Sequence, residues 1–175
     1  MKGLAADGIR YQGFLYVGLM LTKNGPKVLE FNCRLGDPET QSILARVDFD
    51  LAEVLADAAG GKLRPEKLKW KSGASACVVM ASGGYPGKFE TGKEIRGLAE
   101  AARVADVKVL QAGTKKAGES IVTSGGRVLG VAATGNELNT ALQKAYEGVA
   151  RIQFEGMHYR KDIGKPQKQS SAAGD

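Results

Sequence analysis

The apolar residues of this chain come in short runs, each soon cut off by glycine, proline or asparagine. The longest, around Phe14–Leu21 and Ala76–Ala81, fall well short of the ~20 residues a membrane-spanning helix requires. Runs of this length favour short strands joined by turns, and 24 glycines supply those turns. A hydrophobic share of 43% against 25% charged excludes a wholly disordered or collagen-like chain. At 175 residues there is room for one ordinary domain or two small ones.

Two textures follow one another. Phe14–Leu21 reads as a strand, Asn24-Gly25 as a hairpin turn tolerant of positive φ, and Lys27–Cys33 as the returning strand. Asp37-Pro38 predicts a helix start, with Asp37 as cap and Pro38 in the first helical position, and Ile43, Leu44 and Val47 as the apolar stripe. A second helix is predicted between Asp50, a cap with Glu53 three residues on, and the stop pair Gly60-Gly61. Lys62–Gly73 is polar, contains Pro65 and reads as a boundary. Beyond it, Ala76–Ala81, Val107–Ala112, Ser120–Thr123 and Arg127–Thr134 read as strands, the last two joined by a hairpin turn at Ser124–Arg127. From Asn136 as cap, apolar residues from Leu138 to Ile152 keep helical spacing over about four turns. The polar tail is expected to fray.

Several chemistries are disfavoured. Cys33 and Cys77 lie far apart with no CxxC pair, and His158 is the single histidine, so cysteine-based zinc sites, HExxH chemistry and a disulfide framework are not expected. Ser82–Phe89 is not a phosphate loop, because serine stands where the first glycine is required and phenylalanine where the hydroxyl belongs. A net charge of +6 favours anionic partners without choosing among them. The amino-terminal residues reach Asp7 before any apolar core forms, unlike a secretory signal, so a cytoplasmic address is expected.

The most informative segment is Val28–Gln41. Strand alternation places Val28, Glu30 and Asn32 on one face and Leu29, Phe31 and Cys33 on the other, the second set reading as a core face. Glu30 and Asn32 then offer two hard oxygen donors about 6–7 Å apart along the backbone. Mg²⁺ takes one or two such protein ligands and completes its shell with water and phosphate oxygens. From spacing alone a solvated Glu/Asn pair on a half-buried strand is the commoner arrangement. Arg34, just before the predicted helix, suits a phosphate or carboxylate, or a local ion pair with Asp37 or Glu39.

The runs Tyr11–Met20, Gly25–Arg34 and Arg34-Leu35-Gly36-Asp37-Pro38-Glu39-Thr40-Gln41 closely resemble the phosphoribosylamine–glycine ligases, or glycinamide ribonucleotide synthetases. Gly84–Gly87, Gly92–Ile95, Gln111–Thr114, Thr123–Leu129 and Tyr159–Gly164 fit the same family in the same order. The resemblance implies an α+β chain: the end of an ATP-grasp antiparallel sheet with short helices over residues 1–71, then a small β-rich carboxy-terminal domain with one amphipathic helix over 72–166, and a disordered tail over 167–175. It implies ATP-dependent ligation of glycine to 5-phosphoribosylamine through glycyl phosphate, giving glycinamide ribonucleotide, ADP and phosphate in purine biosynthesis. Glu30 and Asn32 match the family's metal pair, for Mg²⁺ or Mn²⁺. Arg34 resembles the arginine near the acyl phosphate, and Arg34 and Asp37 are carried over as substrate-binding.

Related ligases often add a carboxylate from the neighbouring strand, whereas Phe14–Thr22 has none, so Glu30 is expected to carry more of the coordination. The family's amino-terminal domain and lysine-bearing ATP-grasp segment would precede Met1, which implies a fragment inactive alone, with the missing amino-terminal portion of the ligase as its partner. ATP, glycine and 5-phosphoribosylamine are the implied ligands, with no membrane or nucleic acid expected. A non-catalytic basic nucleotide- or RNA-binding module of the same fold is the alternative, disfavoured because charge-driven binding needs no metal pair. A different ATP-grasp carboxylate–amine ligase would share that pair but lack the Arg34–Gln41 run.

Overall fold

A computed structural model describes residues 1–165, and the expected disordered tail lies outside the described residues. It is a mixed helix and strand structure with antiparallel sheets. The chain divides into two compact units, Met1–Ser72 and Gly73 onward.

The first unit opens with a short helix that the sequence did not signal, α1 (Lys2–Ala6), followed by β1 (Tyr16–Thr22) and β2 (Gly25–Asn32), paired antiparallel. Lys23 and Asn24 form the turn, and the left-handed backbone falls on Gly25, at φ +89°, where the absence of a Cβ makes it cheap. The expected core face is corrected: Leu29 and Phe31 are each 64% exposed and Cys33 is exposed. Among the described residues the strands pair only with each other, and a two-stranded ribbon has no second layer of its own.

Two helices follow, α2 (Glu39–Ala45) and α3 (Leu51–Ala59). In α2 the capping expectation fails by one position. Pro38, not Asp37, is the N-cap and gives no side-chain bond, while Asp37 turns its carboxylate to Gln41 instead. In α3 it holds: Asp50 Oδ1 accepts from the Ala52 and Glu53 nitrogens at 2.9 and 3.1 Å. The Gly60-Gly61 stop closes α3 as a Schellman motif, with Gly61 at φ +68°, Gly61 N donating to Ala58 O and Lys62 N to Asp57 O. The polar stretch after it is tied down. Arg64 and Lys67 both pair with Asp57, at 3.1 and 3.3 Å, Lys67 also meets Glu53, and Val47 bridges Trp70.

In the second unit, β3 (Ala74–Ala81) is followed by α4 (Leu98–Ala102), β4 (Val107–Gln111), β5 (Thr114–Ala117), β6 (Ser120–Thr123), β7 (Arg127–Gly135) and α5 (Leu138–Arg151). The central strand is β7, flanked antiparallel by β3 and β4, and its residues Val128–Ala133 are all buried, as in a strand covered on both faces. The expected hairpin between the last two strands is therefore corrected: β6 pairs with β5. Ser124 N donates to Gly113 O at 2.7 Å, and a Cβ on Gly113 would lie 2.7 Å from Gly125 Cα. Two glycine backbones in near contact carry the chain from one sheet to the other.

Helix α5 buries Ala141, Leu142, Ala145, Gly148 and Val149, a helical stripe, against β7 and β3. Its cap is Glu137 without a side-chain bond, not Asn136, and Leu138 is 47% exposed. Gly135 ends β7 hard against the first helical turn, where a Cβ would sit 2.7 Å from Ala141 N, so Asn136 and Glu137 are used as the bend. The His158 backbone exchanges hydrogen bonds with Ala81.

Candidate functional site

The hairpin register decides what surrounds the Glu30–Asn32 pair. Glu30 lies opposite Gly18 and Asn32 opposite Tyr16, so all four share one face of the ribbon. Glu30 is exposed and Asn32 half-buried. A Cβ at position 18 would stand 3.0 Å from Glu30 Cγ. Glycine there leaves the carboxylate room beside the strand.

Tyr16 carries this face to the signature loop. Its hydroxyl donates to Glu39 Oε1 at 3.2 Å, and its ring packs over Gly36, where a Cβ would fall 2.9 Å from Tyr16 Cε2. The Glu39 carboxylate holds the Tyr16 phenol above its usual titration range, with partial desolvation, the hydrogen bond itself and Glu30 adding to the effect while Arg34 opposes it. One phenol thus senses Glu30, Arg34 and Glu39 together. Arg34 is exposed, with Nη1 donating to Leu35 O at 3.0 Å. Asp37 is exposed, and its Oδ1 accepts from Gln41 Nε2 at 3.1 Å.

Two polar atoms of this stretch are buried without a partner: Asn32 Nδ2 and Gln41 Oε1. Buried polar groups are normally paired, so the Asn32 nitrogen calls for an acceptor and the Gln41 oxygen for a donor, from water or a ligand. The donor chemistry also fits a divalent cation with phosphate: one carboxylate, one amide, and a nearby guanidinium. Among the described residues no three His, Cys, Asp or Glu side chains form a metal-holding cluster. A site built on this pair would need oxygens from a bound ligand and water.

The sequence reading placed Glu30, Asn32, Arg34 and Asp37 here and offered Glu39 as a local ion-pair partner of Arg34, but missed Tyr16 and Gln41 as neighbours. Only the strand register gives the Tyr16–Asn32 pairing, and only the turn of the loop returns Glu39 to Tyr16. The glycine-rich Ser82–Phe89 stretch is structural: Ser82 Oγ donates to Gly125 O at 2.8 Å and Arg127 Nε to Tyr85 Oη at 3.2 Å.

A family model for the carboxy-terminal domain of phosphoribosylglycinamide synthetase matches residues 75–166, and one for the ATP-grasp (A) domain of the same enzyme matches residues 1–40. The chain belongs to the phosphoribosylglycinamide synthetase family. Phosphoribosylamine–glycine ligase of Synechocystis is 52% identical over 165 residues, covering 93% of this chain and 39% of the relative. The chicken trifunctional purine biosynthetic protein adenosine-3 is 51% identical over 165 residues, covering 94% of this chain and 16% of that protein. The crystal structure of phosphoribosylamine–glycine ligase from Thermotoga maritima superposes with a TM-score of 0.77 at 37% identity, over 92% of this chain and 39% of that one. N5-carboxyaminoimidazole ribonucleotide synthetase from the same organism, 16% identical with a TM-score of 0.57 over 82% of this chain and 37% of that one, shares the fold. The chain thus spans about two fifths of the length of the single-function relatives it matches. No helix among its described residues is long and apolar enough to cross a membrane.

Proposed function

We propose that this chain supplies the metal-bearing strands and the carboxy-terminal domain of an ATP-dependent ligase joining glycine to 5-phosphoribosylamine, in cytoplasmic purine synthesis. Residues 1–71 are read as the end of the ATP-grasp unit and 72–166 as the carboxy-terminal domain. The observation that supports the reading is the shared face of Glu30 and Asn32, where a carboxylate and an amide stand side by side, with the Tyr16–Glu39–Arg34 corner beside it.

In the proposed reaction a glycine carboxylate oxygen takes the γ-phosphoryl group of ATP, releasing ADP. The amine nitrogen of phosphoribosylamine then attacks the carbonyl carbon of glycyl phosphate; the carbon–oxygen bond to phosphate breaks and the nitrogen gives up a proton. Glu30 and Asn32 would hold Mg²⁺ or Mn²⁺, which neutralises phosphate charge when bound. Arg34 places a permanently charged, planar donor where negative charge collects on the acyl phosphate and the departing phosphate. Asp37 orients Gln41 through its hydrogen bond, and Tyr16 orients Glu39.

The apolar side chains of the hairpin, among them Leu21 at 82% exposure and Leu29 and Phe31 at 64%, suit a covering layer from the preceding part of the ATP-grasp unit. The test is reconstitution. The chain is mixed with the upstream portion of the Synechocystis ligase, made as a separate polypeptide, and glycinamide ribonucleotide is measured with ATP, glycine, phosphoribosylamine and Mg²⁺. Product is expected from the mixture and not from the 175-residue chain alone. A mixture that binds but yields no product refutes the ligase reading.

A further inference from the structure

The Gln41 amide is asymmetrically satisfied. Its Nε2 donates to Asp37 Oδ1 at 3.1 Å, while its Oε1 is buried and accepts nothing. A carboxylate accepts hydrogen bonds and does not donate them, so Asp37 fixes which end of the amide is nitrogen. The oxygen is thereby committed to the other side. Burying an acceptor unpaired is costly, and a surface glutamine could avoid that cost by rotating into water. Here the bond to Asp37 holds it in place.

The missing partner must be a donor. Between Glu30 and Gln41 the charged side chains are Glu30, Asp37 and Glu39 against Arg34 alone, so the local field favours a donor that is positively charged or readily becomes so. We propose that Gln41 Oε1 accepts a hydrogen bond from the amino group of an amine substrate, making Gln41 a positioning residue that Asp37 aims. The inference rests on the ligase reading above. Glycine and phosphoribosylamine both present an amino group, and the kinetic arms separate them.

In the reconstituted enzyme, Gln41→Met removes the acceptor at similar length, and Gln41→Glu keeps an oxygen but loses the N–H that Asp37 holds. Gln41→Met is expected to raise the KM of one amine substrate about tenfold or more, from the strength of a hydrogen bond to a charged donor. KM for ATP and the Mg²⁺ dependence should stay within about twofold. Gln41→Glu, which cannot donate to Asp37, should recover little of the lost KM effect. A rise for glycine assigns the amino acid, and a rise for phosphoribosylamine assigns the nucleotide precursor. An unchanged KM for both amines, or an equal rise for ATP, overturns the inference and leaves only a bound water at Oε1. If the wild-type mixture is inactive, the ligase reading has failed on its own terms. The inference is then judged on the intact chain by titrating glycine and phosphoribosylamine separately, following the Gln41 side-chain amide in 15N NMR: a saturable shift with either that is absent in Asp37→Ala supports it, and no shift with both overturns it.

Discussion

Tyr16 and Asn32 stand opposite each other across the β1–β2 ladder, and the Tyr16 hydroxyl leaves that ladder to donate to Glu39 Oε1 at 3.2 Å. One ring therefore ties the strand face bearing Glu30 and Asn32 to the loop bearing Arg34 and Asp37. The link is aromatic and its length is fixed, so the corner's geometry depends on hairpin register more than on any single charge.

The phenol offers a direct readout of that corner. Because the Glu39 carboxylate is the main cause of its raised titration point, Glu39→Gln should bring Tyr16 back toward the ordinary tyrosine value of about 10. Removing Arg34, which opposes the shift, should move it further up. Titration of ring-labelled tyrosine by NMR in the three proteins checks both directions, and identical curves would remove the electrostatic link.

Glu30 should matter to turnover and little to folding, because its side chain is exposed on the ribbon. In the reconstituted ligase, Glu30→Ala is expected to lower kcat by on the order of 10²–10³, the range seen when one group stabilising transition-state charge is removed. Thermal melting should be nearly unchanged. Retained activity with the same magnesium requirement would count against the metal assignment.

The ion-pair cluster on α3 should make the first unit acid-sensitive. Asp57 is held below its ordinary value by hydrogen bonds from Arg64 and then Lys67. A carboxylate depressed in the folded state contributes stability that is fully present above its unfolded value, about 3.9, and lost as pH falls through its folded value. Lys67 is raised chiefly by its hydrogen bond to Glu53, so its contribution persists below about 10.4 and fades as pH rises through the folded value. Urea titrations of Asp57→Asn from neutral pH to about 3 should show a flatter acid limb than the parent. Parallel curves would mean that the cluster is not coupled to folding.

Gly148 sits inside α5, where alanine is ordinarily preferred by about 1 kcal/mol. A Cβ there would come within 2.9 Å of both Val107 Cγ1 and Val131 Cγ1, and Val131 is fully buried. Overpacking of such a core costs roughly 1–3 kcal/mol, so the clash outweighs the propensity gain. Gly148→Ala is expected to lower the melting temperature of the second unit, and adding Val107→Ala should recover part of the loss. A more stable single variant would show that the helix can shift away from the sheet.

Much of the local structure was legible because it depends on residues close in sequence. Asp50 capping α3, the Gly60-Gly61 stop, the β1–β2 turn and the alternation putting Glu30 and Asn32 on one face are short-range consequences of sterics and hydrogen bonding. The family motifs were legible for the same reason. The partners each element finds were not. The Ser124–Arg127 turn looks like a hairpin, yet β7 passes between β3 and β4, because its run Val128–Ala133 loses water on both faces only there. Leu29, Phe31 and Cys33 look like a core face but remain exposed, since periodicity identifies a face without supplying the layer that would cover it. Gln41's unpaired oxygen depends on where Asp37 points, and Glu39's place in the corner on where the ring of Tyr16 reaches. Chain-local chemistry determined the elements and the candidate residues; long-range packing decided which of them meet.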